Sequence, residues 1–150
     1  MIIDYEYGGW NPMAMDLANY LNETMKDNAY PYENGITVYI DNCMPDHEVR
    51  EMTVCYMKTY YQKHMTDKVK ANYPDCETFI KMELEQLMDE VYDCALLNDM
   101  FWGVWAISLL SPEEYAKEGI FNYDFSRCRV LMYDKILKIR KELEGNKGAV

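Results

Sequence analysis

Apolar side chains recur every three or four residues through most of this chain, which is the spacing of one face of an α-helix. The pattern predicts helices over residues 12–26, 46–64, 75–110, 111–119 and 122–143. The third of these would be about 52 Å long if it were continuous, so we expect a break or bend in it, for which Gly103 is one candidate position. Residues 1–7 instead contain two β-branched residues in succession, Ile2 and Ile3, and predict a short strand.

Helix start and stop signals set the predicted boundaries. The expected starts are Asn11 as a cap with Pro12 in the first turn, Asp46, Asp75, the capping box that begins at Ser111, and Asn122. The expected stops are Gly119 and Gly145.

The remaining segments carry turn signals or a polar composition. Residues 27–44 predict a loop, although a weak alternation at 36–40 leaves a brief extended piece open. Residues 66–73 are lysine-rich and precede Pro74, so they also predict a loop. The expected fold is therefore a single domain over residues 1–150, mainly helical, with one short N-terminal strand or hairpin.

The charge balance excludes some partners. The chain has 26 Asp and Glu against 15 Lys and Arg, a formal net charge of −11. Such a balance argues against nucleic acids and anionic membrane surfaces, and it weakly favours a cationic small molecule. Most of these charges are expected to form an ordinary solvated surface.

Cysteine usage and hydropathy bear on location. The five cysteines are scattered and none forms a C-x-x-C pair, which fits free thiols in a reducing compartment better than a disulfide scaffold or a zinc site. The longest apolar run, residues 100–110, is too short to span a bilayer, and no cationic leader precedes an apolar stretch. We expect a cytoplasmic protein without membrane insertion.

Two stretches carry candidate chemistry. In the first, Asp4 and Glu6 stand at the end of the predicted strand, before the Gly8-Gly9 turn, where they could deliver carboxylates to a site. In the second, Trp102 and Trp105 are three residues apart and share one helix face. Aromatic faces attract cations at about 0.5–2 kcal/mol each, although two tryptophans on one face are also typical of core packing.

Both stretches resemble one family. The segment I-I-D-Y-E-Y-G-G-W-N-P-x-x-x-D-L-A-N-Y-x-x-E is similar to the metal-binding segment of choline and ethanolamine kinases, dense and in register. The later F-W-G-x-W is similar to the family's C-terminal F-F-W-G-x-W. An aromatic patch, an arginine and a tyrosine follow in the family, which here correspond to Tyr123, Phe125, Arg129 and Tyr133, with a one-residue shift at Phe125.

The resemblance implies a fold and an activity. The chain would be the helical C-terminal lobe portion of a protein-kinase-like α+β fold. Family members transfer the γ-phosphoryl group of ATP to the hydroxyl of choline or ethanolamine, a step of phospholipid biosynthesis, with magnesium neutralising charge. Asp4 matches the metal-ligating aspartate and Glu6 a second acidic ligand beside it.

The resemblance also implies an alkyl-ammonium pocket in which Glu23 supplies the counter-charge. The matching residues are Tyr7, Glu23, Trp102, Trp105, Tyr123 and Phe125. Asp16 matches an aspartate that braces the catalytic loop, and Arg129 matches an arginine in a supporting role. Aromatic walls suit three N-methyl groups, so choline is favoured over ethanolamine.

The parts that carry the catalytic base and the nucleotide are not recognised in these residues. A kinase of this kind needs an H-x-D-x-x-x-x-N loop, and the nearest approach, at 64–72, has the wrong spacing and position. We therefore expect these 150 residues alone to be inactive towards ATP, and their exposed apolar face to favour self-association as a homo-oligomer. Two alternatives remain open: an ethanolamine kinase fragment, or a non-catalytic helical module that binds a quaternary ammonium or a partner.

Overall fold

The prediction of a mainly helical fold is confirmed. A computed structural model of the chain describes residue 9 and residues 11–27, 37–108 and 119–147. Its elements, in order, are α1 (Met13–Glu23), β1 (Lys26–Asp27), β2 (Thr37–Val38), a 3-10 turn (Ile40–Asn42), α2 (Asp46–Lys63), α3 (Asp67–Lys70), α4 (Cys76–Ser108) and α5 (Gly119–Lys147). The strand predicted at 1–7 and the short helix predicted from 111 lie outside the described residues.

Helix α4 is the element around which the others pack, because α1, α2 and α5 all contact it. Burying apolar side chains against a long helix stabilises a small domain more than helix propensity does. The largest fully buried apolar side chains come from α1, α2, α4 and α5 and from the turn after α1: Leu21, Met25, Val49, Met57, Val91, Tyr92, Met132 and Ile136.

Two contacts fix the relative direction of α1 and α4. The Asn22 side-chain amide donates to the Ala95 carbonyl at 2.9 Å, and the Asn98 amide donates to Asn19 Oδ1 at 3.1 Å. Residue numbers rise along one helix as they fall along the other, so the two helices run antiparallel. The first turn of α1 is therefore directed towards the part of α4 that follows Asn98, where both tryptophans lie.

A small hairpin follows α1, where the sequence predicted a loop over 27–44. Lys26 pairs with Val38 and Asp27 with Thr37 in an antiparallel register. Each strand has only two residues, which is too short for an alternating pattern to show, and β2 falls within the weak alternation at 36–40. The hairpin matters for the site because it fixes Lys26 directly after the end of α1.

Several predicted boundaries are wrong by a few residues. Helix α4 is unbroken through Gly103, because a buried glycine costs a helix only about 1 kcal/mol and α5 covers this one. Gly119 begins α5 instead of ending a helix, so the cap predicted at Asn122 is wrong, and Gly145 lies inside α5. A short helix, α3, lies within the predicted loop at 66–73.

One predicted N-cap is confirmed, and those of α1 and α2 are not. Asp75 caps α4 as expected, since its carboxylate accepts the Thr78 backbone N–H at 2.7 Å. The N-cap positions of α1 and α2 are instead the prolines Pro12 and Pro45, one residue from the predicted starts, and no side-chain cap is formed at either. The Asp46 carboxylate is engaged elsewhere, because it accepts the hydroxyl of Tyr92 on α4 at 3.0 Å.

Candidate functional site

A buried arginine joins three helices at the centre of the candidate site. Arg129 on α5 is 2% exposed, and its guanidinium donates to Asp99 Oδ1 on α4 and to Glu23 Oε1 at the end of α1, each at 3.1 Å. A planar guanidinium can serve two carboxylates at once, which a lysine ammonium does less precisely. The arginine thereby holds the last turn of α1 against the α4–α5 pair.

A second cation reaches the same carboxylate from the hairpin. Lys26 Nζ lies 2.9 Å from Glu23 Oε1, and the lysine side chain is only 6% exposed. Burial and the neighbouring Arg129 charge lower the pKa of Lys26, while Glu23 opposes that shift. Glu23, whose side chain is 36% exposed, is therefore bound by two cations within the chain.

The Phe125 ring receives both cations. Lys26 Nζ and the Arg129 guanidinium carbon each lie 5.0 Å from its centroid, within the range of cation–π attraction. Phe125 and Arg129 are four residues apart on α5, so they share one face of that helix. The ring thus takes part in binding cations inside the protein, next to the Glu23 carboxylate.

Asp99 is the most deeply buried charge of the group. It is 1% exposed, and its Oδ2 atom has no hydrogen-bond partner among the described residues. Burial raises the pKa of Asp99 to about 6, against the attraction of Arg129 and Lys26. The carboxyl group is therefore held where its charge is only partly compensated.

The two tryptophans stand on α4 just beyond this cluster. Their ring centroids are 5.3 Å apart with an angle of 81° between the planes, and Phe101 meets Trp102 in a similar edge arrangement at 5.3 Å. Both indoles are half-buried, outside the set of fully buried core side chains. Trp102 follows Asp99 by three residues, so it lies one turn along the same helix.

The other predicted residues are distributed as follows. Tyr123 is exposed at the start of the described side chains of α5. Asp16 is exposed on α1, where it interacts with the Tyr56 hydroxyl of α2; burial raises the pKa of that tyrosine, and the charge of Asp16 adds to the shift. Asp4, Glu6 and Tyr7 lie outside the described residues, so the strand-end carboxylates have no assigned geometry.

An apolar groove of about 400 Å³ runs between α4 and α5, and Asp99 and Arg129 form part of its lining. Its walls include Met100, Val104, Val130 and Tyr133, and neither tryptophan lines it. The groove and the indole pair are thus separate features of the α4 surface.

Within the part of the chain that the structure describes, no three His, Cys, Asp or Glu side chains are grouped so that they could hold a metal ion. In the same part, no helix combines the length and apolar character needed to cross a membrane.

Two members of the charge cluster were not predicted from the sequence, Lys26 and Asp99. Asp99 left a signal that could have been used, because Asn98 and Asp99 interrupt an otherwise apolar stretch of the longest helix. A polar residue on a buried helix face requires a partner, and Arg129 supplies it. Lys26 left no comparable signal, since a lysine at the end of an amphipathic helix is ordinary.

Comparisons with known proteins bear on the family of the chain. A sequence model described as choline/ethanolamine kinase matches residues 1–134. Probable choline kinase 3 of Arabidopsis thaliana is 29% identical over 134 residues, which are 88% of this chain and 32% of that protein. Ethanolamine kinase 1 of Mus musculus is 26% identical over 145 residues, which are 97% of this chain and 34% of that protein.

A choline kinase of Saccharomyces cerevisiae is 30% identical over 107 residues, 71% of this chain and 16% of the relative. The chain thus spans about a third or less of the length of these relatives. No solved structure matches it. Because the family match covers most of the chain, including α1 and the indole pair, the protein belongs to the choline/ethanolamine kinase family.

Proposed function

We propose that this chain is the acceptor-binding, C-terminal lobe portion of a kinase that transfers the γ-phosphoryl group of ATP to choline. The observation that carries the proposal is the perpendicular indole pair on α4, one turn beyond the Glu23–Arg129–Asp99 cluster. Aromatic faces together with a carboxylate counter-charge recognise a quaternary ammonium group, and in this proposal Glu23 supplies that charge. We call this arrangement of Trp102, Trp105 and Glu23 the ammonium site.

The helix directions support a site that is completed by the N-terminal residues. Helix α1 runs antiparallel to α4, so its first turn, at Met13, is directed towards the end of α4 at which Trp102 and Trp105 lie. We propose that Tyr7 completes the wall of the ammonium site and that Tyr123 and Phe125 contribute from α5. Asp16 and Arg129 are proposed as supporting residues, the latter because it anchors Glu23 from within the core.

Magnesium is proposed as the cofactor, with Asp4 and Glu6 as its ligands from this chain. Carboxylate oxygens are the ligands that this hard cation prefers. When bound, the ion would neutralise charge on the ATP phosphates during transfer. The role of the described residues is then to hold the acceptor's ammonium end, which fixes the direction of its hydroxyl.

Choline is proposed over ethanolamine because one hydrogen-bond-accepting oxygen of Glu23 is already engaged by cations of the protein. A primary ammonium carries three N–H donors and needs hydrogen-bond acceptors, whereas a trimethylammonium needs only apolar and aromatic surface. Arg129 occupies one acceptor position of Glu23 Oε1 and Lys26 the other, so even if Lys26 gives way this oxygen can accept only one of the three N–H donors of a primary ammonium. The relatives include both choline and ethanolamine kinases, so identity does not decide the acceptor.

A change to the indole pair tests the proposal. Trp102→Ala should weaken choline binding by about five- to thirtyfold, because one cation–π wall of about 1–2 kcal/mol is removed. Val104→Ala, which shortens a 66%-exposed side chain on the same helix, is the matched control and should leave binding unchanged. Affinity is measured by proton NMR titration with choline chloride, and urea unfolding of each variant checks the fold. Equal binding by both variants would reject the ammonium site, and global unfolding of the tryptophan variant would favour core packing.

A second function, a non-catalytic module that binds a quaternary ammonium or a partner, is favoured by one observation. The described residues group no metal ligands beside the indole pair. Calorimetry separates the two functions: choline binding that strengthens with Mg²⁺ and ATP favours the kinase, and binding indifferent to both favours the module. Choline-dependent ADP release is not expected from these 150 residues alone.

Location and assembly are proposed on separate grounds. All five cysteines are free thiols, which fits the reducing cytoplasm. Exposed apolar side chains on neighbouring positions of α4 and α5 (Met100, Val104, Ile107 and Val130) support association with a second copy. Analytical ultracentrifugation over a range of concentrations would detect such a dimer.

A further inference from the structure

Lys26 presents an ammonium group to two of the residues that are predicted to bind the acceptor's ammonium group. Its Nζ atom lies 2.9 Å from Glu23 Oε1 and 5.0 Å from the centroid of the Phe125 ring. A carboxylate on one side and an aromatic face on the other form the same environment that an alkyl-ammonium ligand requires. No sequence motif singled out this lysine.

We propose that Lys26 is an internal competitor, whose ammonium group occupies part of the ammonium site and must move aside when choline or another methylated ammonium binds. The inference rests on the proposed function, and it adds a residue that sets the affinity for the acceptor.

Charge balance supports displacement over simultaneous binding. Two cations, Lys26 and Arg129, face two carboxylates, Glu23 and Asp99, so the cluster is neutral as it stands. A ligand cation added to this neutral cluster would give it a net positive charge. If the Lys26 ammonium leaves, Glu23 and Asp99 together exceed Arg129 by one negative charge, and the ligand cation restores the balance.

Lys26 is also the member of the cluster that can leave at the lower cost. Arg129 contacts both carboxylates and is buried between α4 and α5, so removing its charge would leave Asp99 without its cation in the core. Lys26 contacts one partly exposed carboxylate from a hairpin with two-residue strands, and a lysine side chain has four rotatable bonds through which to reach water. Burial lowers its pKa, which indicates that its charged form gains from reaching water.

The affinity of Lys26 variants for choline tests the proposal. Lys26→Met keeps the apolar stem and removes the charge, so it should bind choline chloride about tenfold more tightly than wild type. Lys26→Arg keeps a cation at this position and should bind choline no more tightly than wild type does. Lys81→Met, which removes an exposed lysine on α4, is the control for net charge and should change affinity little. Tetramethylammonium chloride should follow the same order, because it carries the cationic group without the hydroxyl.

A measurement on the wild-type chain covers the case in which Lys26→Met does not fold. The methylene protons next to Lys26 Nζ lie near the Phe125 ring and should be shifted by its ring current. Saturation with choline should move these resonances towards the values of a free lysine. Unmoved resonances at saturation would overturn the proposal.

The outcomes separate the competitor from the proposed function. Equal affinity in wild type and Lys26→Met overturns the competitor and leaves the ammonium site standing. Tighter binding in Lys26→Met that is lost again on adding Trp102→Ala supports both. If neither wild type nor Lys26→Met binds choline or tetramethylammonium, the ammonium site is rejected, and the proposal that Lys26 competes for it is overturned as well.

Discussion

Asp99→Asn is the substitution whose effect on stability follows most directly from the geometry. The change keeps the shape of a side chain that is 1% exposed and removes a charge whose ionisation burial opposes. Arg129, Lys26 and Glu23 are the charged groups that face Asp99 from α5, β1 and α1. Arg129 keeps the Glu23 carboxylate as a partner in the variant.

The sign of the pH effect follows from the direction of the shift. The pKa of Asp99 is raised from 3.8 to about 6 in the folded chain, so between these values the folded state binds more protons than the unfolded state. The stability contributed by this group is therefore present at low pH and is lost as pH rises through about 6. Two pKa units correspond to about 3 kcal/mol, of which roughly 1.4 kcal/mol falls between pH 5 and pH 7.

The assay is urea unfolding of wild type and Asp99→Asn at several pH values between 5 and 7.5, above the isoelectric point of about 4.6. The free energy of unfolding of wild type, relative to the variant, should fall by about 1.4 kcal/mol from pH 5 to pH 7. Asp93→Asn is the control on the same helix, because its carboxylate is 62% exposed and pairs with Arg140 at the surface. Its profile should run parallel to that of wild type.

Parallel profiles for wild type and Asp99→Asn would refute the reasoning. They would mean that the attraction of Arg129 fully offsets the burial of the carboxyl group. A profile of opposite slope, with wild type gaining stability relative to the variant as pH rises, would mean that the ion pair outweighs burial.

The other predictions concern surface ion pairs, a buried hydrogen bond and the reactivity of the cysteines. Arg140→Met should cost no more than about 1 kcal/mol in urea unfolding, and less at high salt, because the carboxylates it meets are at least 40% exposed. Asn22→Ala should cost about 1–3 kcal/mol by the same assay, since a buried hydrogen bond between α1 and α4 is lost. In thiol labelling, exposed Cys55 should react first, whereas Cys128, whose pKa is raised by burial, should react only on unfolding.

The helices could be predicted because their cause is local. A repeat of apolar residues at helical spacing fixes which face is buried, and the patterns of α1, α2 and α4 give element bounds within a few residues of those observed. Three of the errors concern a glycine that was taken as a break or a stop, at positions 103, 119 and 145. Gly103 is covered by Arg129 and Ser126 of α5, a tertiary contact that the sequence of α4 does not contain.

The charge cluster could be predicted only in part, because it is non-local. Glu23 and Arg129 were predicted through the family resemblance. Their contact with each other was not, because the two residues are more than a hundred positions apart in the chain. That Lys26 shares the Glu23 carboxylate depends on a two-residue hairpin, which is too short to leave a periodic pattern. The sequence therefore led to the prediction of Glu23 as a site residue and not to the cation, Lys26, that contacts it.

The central claim is that choline's trimethylammonium group contacts the indole pair of α4. The most direct measurement is a set of intermolecular nuclear Overhauser effects between the N-methyl protons of choline and the side chains of the 150-residue chain. We predict cross-peaks to the indole protons of both Trp102 and Trp105, strengthened in Lys26→Met. Cross-peaks that instead connect choline to Val104 and Val130, in the groove between α4 and α5, would contradict the account.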